Sequence, residues 1–290
     1  LSATGGHGDW GGPTDTVHNV DYGALVEQSY IVDGRDDVIR ASRRNFRNGA
    51  HFTKIMAGGG VASLYDPLEI YAATQEEIEA AVEIASEYGT YVALHAYNDQ
   101  SYNRSLDAGV RSYEHGFLVS EKTVKRMARM DQDITWSFQC YMSVATFGDY
   151  DSMPDFFTHE QKLKGVAVGE GARKAAAMML EHDVFMVGGS DMFSPAYGPR
   201  MKEDITCRVN MVDYPAAHAL KMSTGNAGIV LKWSDVLDPY PTYHIGRIAP
   251  DSYADILLWD GNPLENIDLI LDESKLHLVM KDGVIYKDTM

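Results

Sequence analysis

Thr53-Lys54-Ile55-Met56-Ala57-Gly58-Gly59-Gly60 is the stretch on which the fold of this chain turns. A short apolar run carries Lys54 and then breaks into glycines, as a strand does where it gives way to a loop. Three other strings repeat the arrangement: Leu94-His95-Ala96-Tyr97, Tyr113-Glu114-His115-Gly116 and Gly188-Gly189-Ser190-Asp191. Each places a chemically active residue at or just past the end of an apolar run. In a barrel of alternating strands and helices those ends open onto one face, where catalytic groups collect. A lysine, two histidines and an aspartate converging there form the pattern of a metal site rather than of packing.

Outward from that stretch, Asp33 to Tyr88 reads as helix, strand, helix. Val38, Ala41 and Phe46 make a loose helical stripe, and the strand lies around Ala50 to Met56. Thr74 and Glu77 form a capping box ahead of Ile78, Ala81, Val82 and Ala85, and Gly89 stands where that helix should stop. Tyr91–Leu94, Val110–Glu114, Ile134–Phe138 and Val184–Val187 are further strand candidates, with helical stretches between them. The alternation predicts a parallel sheet with crossover helices. Leu1 to Thr4 reads as the end of one more strand, which brings the count to six. A closed barrel needs eight. Two strands are therefore expected upstream of Leu1.

After about Asn226 the texture changes. Ala254 to Trp259 is β-like, and Leu276 to Tyr286 reads as a hairpin turning at Asp282-Gly283. The expected division is a barrel segment over residues 1–226 and a small β appendage over 227–290.

Composition narrows the function. The 290 residues are 45% hydrophobic, ample for one large α/β core, and no apolar run approaches a membrane span. The 25 Lys and Arg against 42 Asp and Glu give a net charge of −17, which argues against binding nucleic acid or anionic lipid through net charge. Cys140 and Cys207 form no metal-spaced pair and read as incidental buried thiols, compatible with a reducing, cytoplasmic setting. The amino terminus has no signal-peptide pattern, and localisation is not read from it.

A protonated lysine is not a metal ligand, so Lys54 at such a centre needs a chemical reason. Carbamylation by carbon dioxide supplies one, because it converts a cation into a two-oxygen anion able to bridge ions. Histidines suit zinc-like metals, and carboxylates serve as well. A metal lowers the pKa of bound water towards about 7, giving a hydroxide at neutral pH. Taken singly, each residue has an ordinary reading: a surface lysine, two hydrogen-bonded structural histidines, a helix-capping aspartate. As a set in this order they are harder to explain that way.

These strings make the chain resemble the amidohydrolase superfamily, in its imidazolonepropionase-like and prolidase-like branch. The likeness extends to Ser2-Ala3-Thr4-Gly5-Gly6-His7-Gly8-Asp9, Ala254-Asp255, Gly261-Asn262-Pro263-Leu264 and Val279-Met280-Lys281-Asp282-Gly283. The resemblance implies a (β/α)8 TIM barrel of the metal-dependent hydrolase type with a small β-sandwich appendage. It implies two zinc ions in the intact enzyme, bridged by carbamylated Lys54, with His95 and His115 on the second metal and Asp191 as ligand and general base. Tyr97 would polarise the scissile carbonyl, and His7 would contact substrate. The His-x-His of the family's first strand is absent from this sequence, and is expected on the two strands upstream. The implied activity is cleavage of amide bonds in small molecules, with Xaa-Pro dipeptides or N-acyl amino acids as first candidates; a homo-oligomer is left open.

Two rivals stand beside it. A Schiff-base lyase would use Lys54 as a nucleophile without metal, and a non-catalytic fragment would keep only the scaffold. Gly58-Gly59-Gly60 lacks the ending of a phosphate loop. His18, His51, His159, His182, His218, His244 and His277 show no ligand spacing, and Asp149, Asp151 and Asp155 read as a solvated loop near the mouth of the site.

Overall fold

The computed structural model describes residues 1–11, 28–192, 198 and 200–290; His18 lies outside them. Five parallel strands, β1 (Thr53–Met56), β2 (Val92–Asn98), β3 (Ser112–Leu118), β4 (Thr135–Phe138) and β5 (Met186–Gly188), pair in strict chain order. Helices cross between them: α1 (Arg35–Arg47) precedes β1, and α2 (Gln75–Glu87), α3 (Asp99–Ala108), α4 (Glu121–Ala128) and α5 (His159–Glu181) follow in turn. A doubly wound sheet reverses its strand order partway, whereas a barrel does not. The sheet is a segment of a β/α barrel. The strand end expected at Leu1 to Thr4 is reduced to two isolated parallel bridges of Ser2, to Met56 and to Ile31.

Local chemistry explains the elements. Thr74 and Glu77 close a reciprocal capping box on α2, and Gly109 ends α3 in a left-handed conformation at φ 88°. Strand β2 runs four residues beyond the expected Leu94, because parallel pairing with β3 carries the ladder past His95 and on to Asn98. Ile55, Leu94, Tyr113, Trp136 and Phe138 join the buried core. Alternate positions put Lys54, His95, Glu114 and Ser137 on the other face, in the registers Lys54↔Ala93, His95↔Glu114 and Glu114↔Ser137.

Beyond α6 (Met201–Asn210), α7 (Ala216–Ser223) and α8 (Gly225–Leu231), the strands β6 (Ile256–Trp259), β7 (Leu276–Lys281) and β8 (Val284–Asp288) form a separate antiparallel sheet. Asp282 and Gly283 turn the β7–β8 hairpin at φ 50° and 76°, the left-handed pair expected of Asp-Gly. No helix among the described residues is long and apolar enough to cross a membrane.

One expectation is corrected. Cys140 and Cys207 are not separate thiols but are joined in a disulfide, their Cα atoms 5.8 Å apart. Cys140 follows β4 and Cys207 lies on α6, elements brought together only by tertiary packing across 67 residues of sequence. The same contact is reinforced by the Tyr141 amide, which donates to Asp204 of α6.

Candidate active site

The sheet gathers His95, Tyr97 and His115 at one end. His95 and Tyr97 are two apart on β2 and share its face, their rings 5.3 Å apart. Alternation would send His115 to the opposite face from Glu114. Instead His115 adopts φ 67°, followed by Gly116 at 65°, and this left-handed twist re-aims it. Its ring meets that of His95 edge-on at 4.6 Å and lies 5.5 Å from Tyr97. Trp136 of β4 donates its indole N–H to the His115 carbonyl at 2.6 Å, tying down the unusual backbone. A Cβ on Gly116 would lie 2.1 Å from the Tyr102 hydroxyl, so that position is closed to larger residues.

Both histidines are buried, 2% and 4% exposed, and held neutral at pH 7. Burial pushes the His95 pKa well below 6.5, and the neighbouring His7, His115 and Lys54 push the same way. Burial does the same to His115, followed by Lys54 and His7, while Gln139 acts in the opposite sense. The His95 Nε2 lies 3.0 Å from the Gly59 carbonyl. A carbonyl only accepts, so Nε2 carries the proton and Nδ1 keeps its lone pair. A ring N–H donated to a backbone carbonyl is the usual outer partner of a metal-binding histidine.

Lys54 and Asp191 complete the surroundings electrically. The Lys54 charge acts on His95, His115 and Asp191. Asp191 follows β5 at φ 53°. Its surface is open to solvent, yet crowding by protein atoms is the largest influence on its carboxyl and raises its pKa; Lys54 opposes the rise and Glu114 adds to it. Asp191 in turn follows burial as the second influence raising the Tyr97 pKa, so Tyr97 stays a protonated hydroxyl. The left-handed backbone of Asp191 is shared with six other aspartates among the described residues, whereas His115 is the one histidine among them that adopts it. Among the described residues, no group of three or more His, Cys, Asp or Glu side chains is arranged to hold a metal. Two neutral imidazoles side by side nevertheless suit a zinc-like ion.

His7, singled out from the sequence, stacks on His95 with ring centroids 4.1 Å apart. Its Nδ1 lies 2.6 Å from the Ser63 hydroxyl, which donates to Asp66 at 2.6 Å. Ser63, Asp66, Glu114, Gln139 and Lys164 are parts of the site that sequence reading missed. Ser63 and Asp66-Pro67 are turn-type residues after a glycine run, a legible signal of a shaped loop. Lys164 comes from α5, and nothing in its local sequence announces that it donates to the carbonyls of Gly60, Ser63 and Asp66. Glu114 accepts from Ser112 and Gln139 across the interior of the sheet.

Comparison with known proteins agrees with this architecture. The sequence pattern of the amidohydrolase family matches residues 13–286. Ochratoxinase of Aspergillus niger is 26% identical over 300 aligned positions, covering 99% of this chain and 58% of the relative, so the chain spans little more than half that protein's length. A crystallised amidohydrolase is 30% identical with a TM-score of 0.83, over 100% of this chain and 68% of its own. A prolidase crystallised with N-methylphosphonate-L-proline is 27% identical with a TM-score of 0.82, over 99% of this chain and 67% of its own. With strands in barrel order and a histidine pair on two adjacent strands, this chain belongs to the amidohydrolase family.

Proposed function

We propose that the protein is a metal-dependent hydrolase of amide bonds in small molecules, acting in prolidase fashion on Xaa-Pro dipeptides or N-acyl amino acids. The observation that carries this reading is the buried pair of neutral imidazoles, His95 and His115, with the His95 Nε2 already committed to the Gly59 carbonyl. His95 and His115 would hold a zinc-like ion, with Asp191 and a carbamylated Lys54 as the anionic donors. When bound, such ions polarise a carbonyl and acidify water.

The remaining steps belong to the chain itself. Asp191, whose carboxyl is easier to protonate than an ordinary aspartate, takes the proton of the attacking water and returns it to the leaving nitrogen. Tyr97 keeps its hydroxyl proton and donates a hydrogen bond to the scissile carbonyl oxygen as negative charge develops there. His7 lies beside His95 as the substrate contact. The division into a barrel segment over 1–226 and an appendage over 227–290 belongs to the same proposal.

The test is a hydrolysis assay of the intact protein with zinc and bicarbonate against a panel of Xaa-Pro dipeptides and N-acyl amino acids. Turnover that a chelator abolishes and zinc restores is expected. Metal-independent turnover with borohydride trapping at Lys54 would favour the Schiff-base reading instead.

A further inference from the structure

His7 is held by a relay whose protons can be counted. The Asp66 side chain is 1% exposed, and its Oδ2 accepts from the Ser63 hydroxyl at 2.6 Å and from the Gly60 amide at 2.7 Å. A serine hydroxyl has one proton, and here it goes to Asp66. Towards His7, 2.6 Å away, Ser63 has only lone pairs to offer. The His7 Nδ1 must therefore be the donor. Burial alone would raise the Asp66 pKa, but hydrogen bonds from His7 and Ser63 and the nearby Lys164 outweigh it, so the acceptor stays ionised. The Lys164 ammonium lies 4.0 Å from Asp66 Oδ1 and fastens the carbonyls of the same loop. The ring packs directly on Gly60, where any Cβ would lie 1.8 Å from the His7 Nδ1, so a larger residue there would displace it. On another side it lies parallel to His95, with an interplanar angle of 9°.

We propose that Ser63 and Asp66 are positioning residues that lock His7 as the Nδ1–H tautomer, flat against His95, so that its Nε2 presents a lone pair to a substrate N–H. The substrate class this selects carries a donor near the scissile bond: the ammonium of an unblocked dipeptide, or the amide N–H of an N-acyl amino acid. The inference rests on the reading of this pocket as a substrate site, but the tautomer itself is independent of substrate.

The experiment is nitrogen NMR of the intact protein labelled with 15N-histidine, at a pH where imidazole is neutral, with His7 assigned through a His7→Gln variant. The expected spectrum shows a protonated Nδ1 and an unprotonated Nε2 for His7 in the wild type. Ser63→Ala should shift it towards the Nε2–H form, and Ser63→Thr, which keeps the hydroxyl, should hold the Nδ1–H form. In kinetics, Ser63→Ala should raise KM roughly tenfold, more than it lowers kcat, and should add nothing further in a His7→Gln background. An Nε2–H His7 in the wild type overturns the proposal without any variant having to fold. A Ser63→Ala effect of equal size in the His7→Gln background overturns it as well, by reducing Ser63 to a structural role. If the Nδ1–H form is found but no substrate is turned over, the lock stands and the functional reading falls.

Discussion

One pocket holds histidines in two opposite environments. His95 and His115 stand on neighbouring strands with aromatic rings for neighbours, and burial keeps them neutral, with one ring proton each. His7, stacked on one of them, is backed by a hydroxyl and an ionised carboxylate. The same side chain thus becomes a bare nitrogen donor in one case and an oriented hydrogen-bonding group in the other. Neighbours assign the role. A buried imidazole without a carboxylate is ready for a cation, whereas one leaning on Ser63 and Asp66 is suited to polar recognition.

Breaking the first environment should have the largest effect. His115→Ala is expected to lower zinc affinity and hydrolytic turnover by more than about 100-fold, the upper range for groups that only support a ligand. Zinc titration calorimetry would check it, and unchanged affinity would remove His115 from the donor set.

Breaking the second should cost stability in a pH-dependent way. Asp66→Asn is expected to destabilise the fold by about 1.5–3 kcal/mol at neutral pH, as hydrogen bonds to a charged acceptor are weakened. The folded pKa of Asp66 lies below its unfolded value of about 3.9. The charged group's contribution is therefore complete above that unfolded value and fades as pH falls through the folded one. Denaturant melts of wild type and variant should differ by a constant amount above about pH 5 and converge in stronger acid. A gap that persists undiminished into strong acid would deny Asp66 this role.

A smaller effect sharpens the contrast. Trp136→Phe leaves the buried His115 carbonyl without its donor, and should cost about 1–2 kcal/mol. It should also weaken zinc binding while leaving the His7 NMR signals in place, because the indole donates to the His115 backbone, whereas the His7 ring is hydrogen-bonded by the Ser63–Asp66 loop. Equal disturbance of both histidines would blur the distinction.

The smallest effect serves as a control on the remote sheet. Gly283→Ala puts a Cβ at φ 76° in an open turn, and should cost about 1 kcal/mol with no change in zinc binding.

How much of this was legible beforehand follows from what sequence encodes locally. The capping box at Thr74, the stop at Gly89 and the Asp282-Gly283 turn were readable, because each depends on neighbours within a few residues. Apolar runs marked the strands themselves, but not their ends: Lys54 is the second residue of β1, His95 and His115 lie midway along β2 and β3, and only Asp191 falls past its strand. The left-handed turn at His115 was not, since its neighbour Gly116 hinted at freedom without giving a direction. Nor was the Cys140–Cys207 bond or the reach of Lys164 to the Ser63–Asp66 loop, both of which depend on elements far apart in the chain.

The central claim is that His95 and His115 form the nitrogen half of a metal centre completed by Lys54 and Asp191. Anomalous diffraction at the zinc edge, from crystals of the intact protein grown with zinc and bicarbonate, tests it most directly. The account predicts a peak about 2.0–2.1 Å from a nitrogen of each histidine, with carbamate density on Lys54. A peak elsewhere, or an unmodified Lys54 with no ion at the pair, would contradict it.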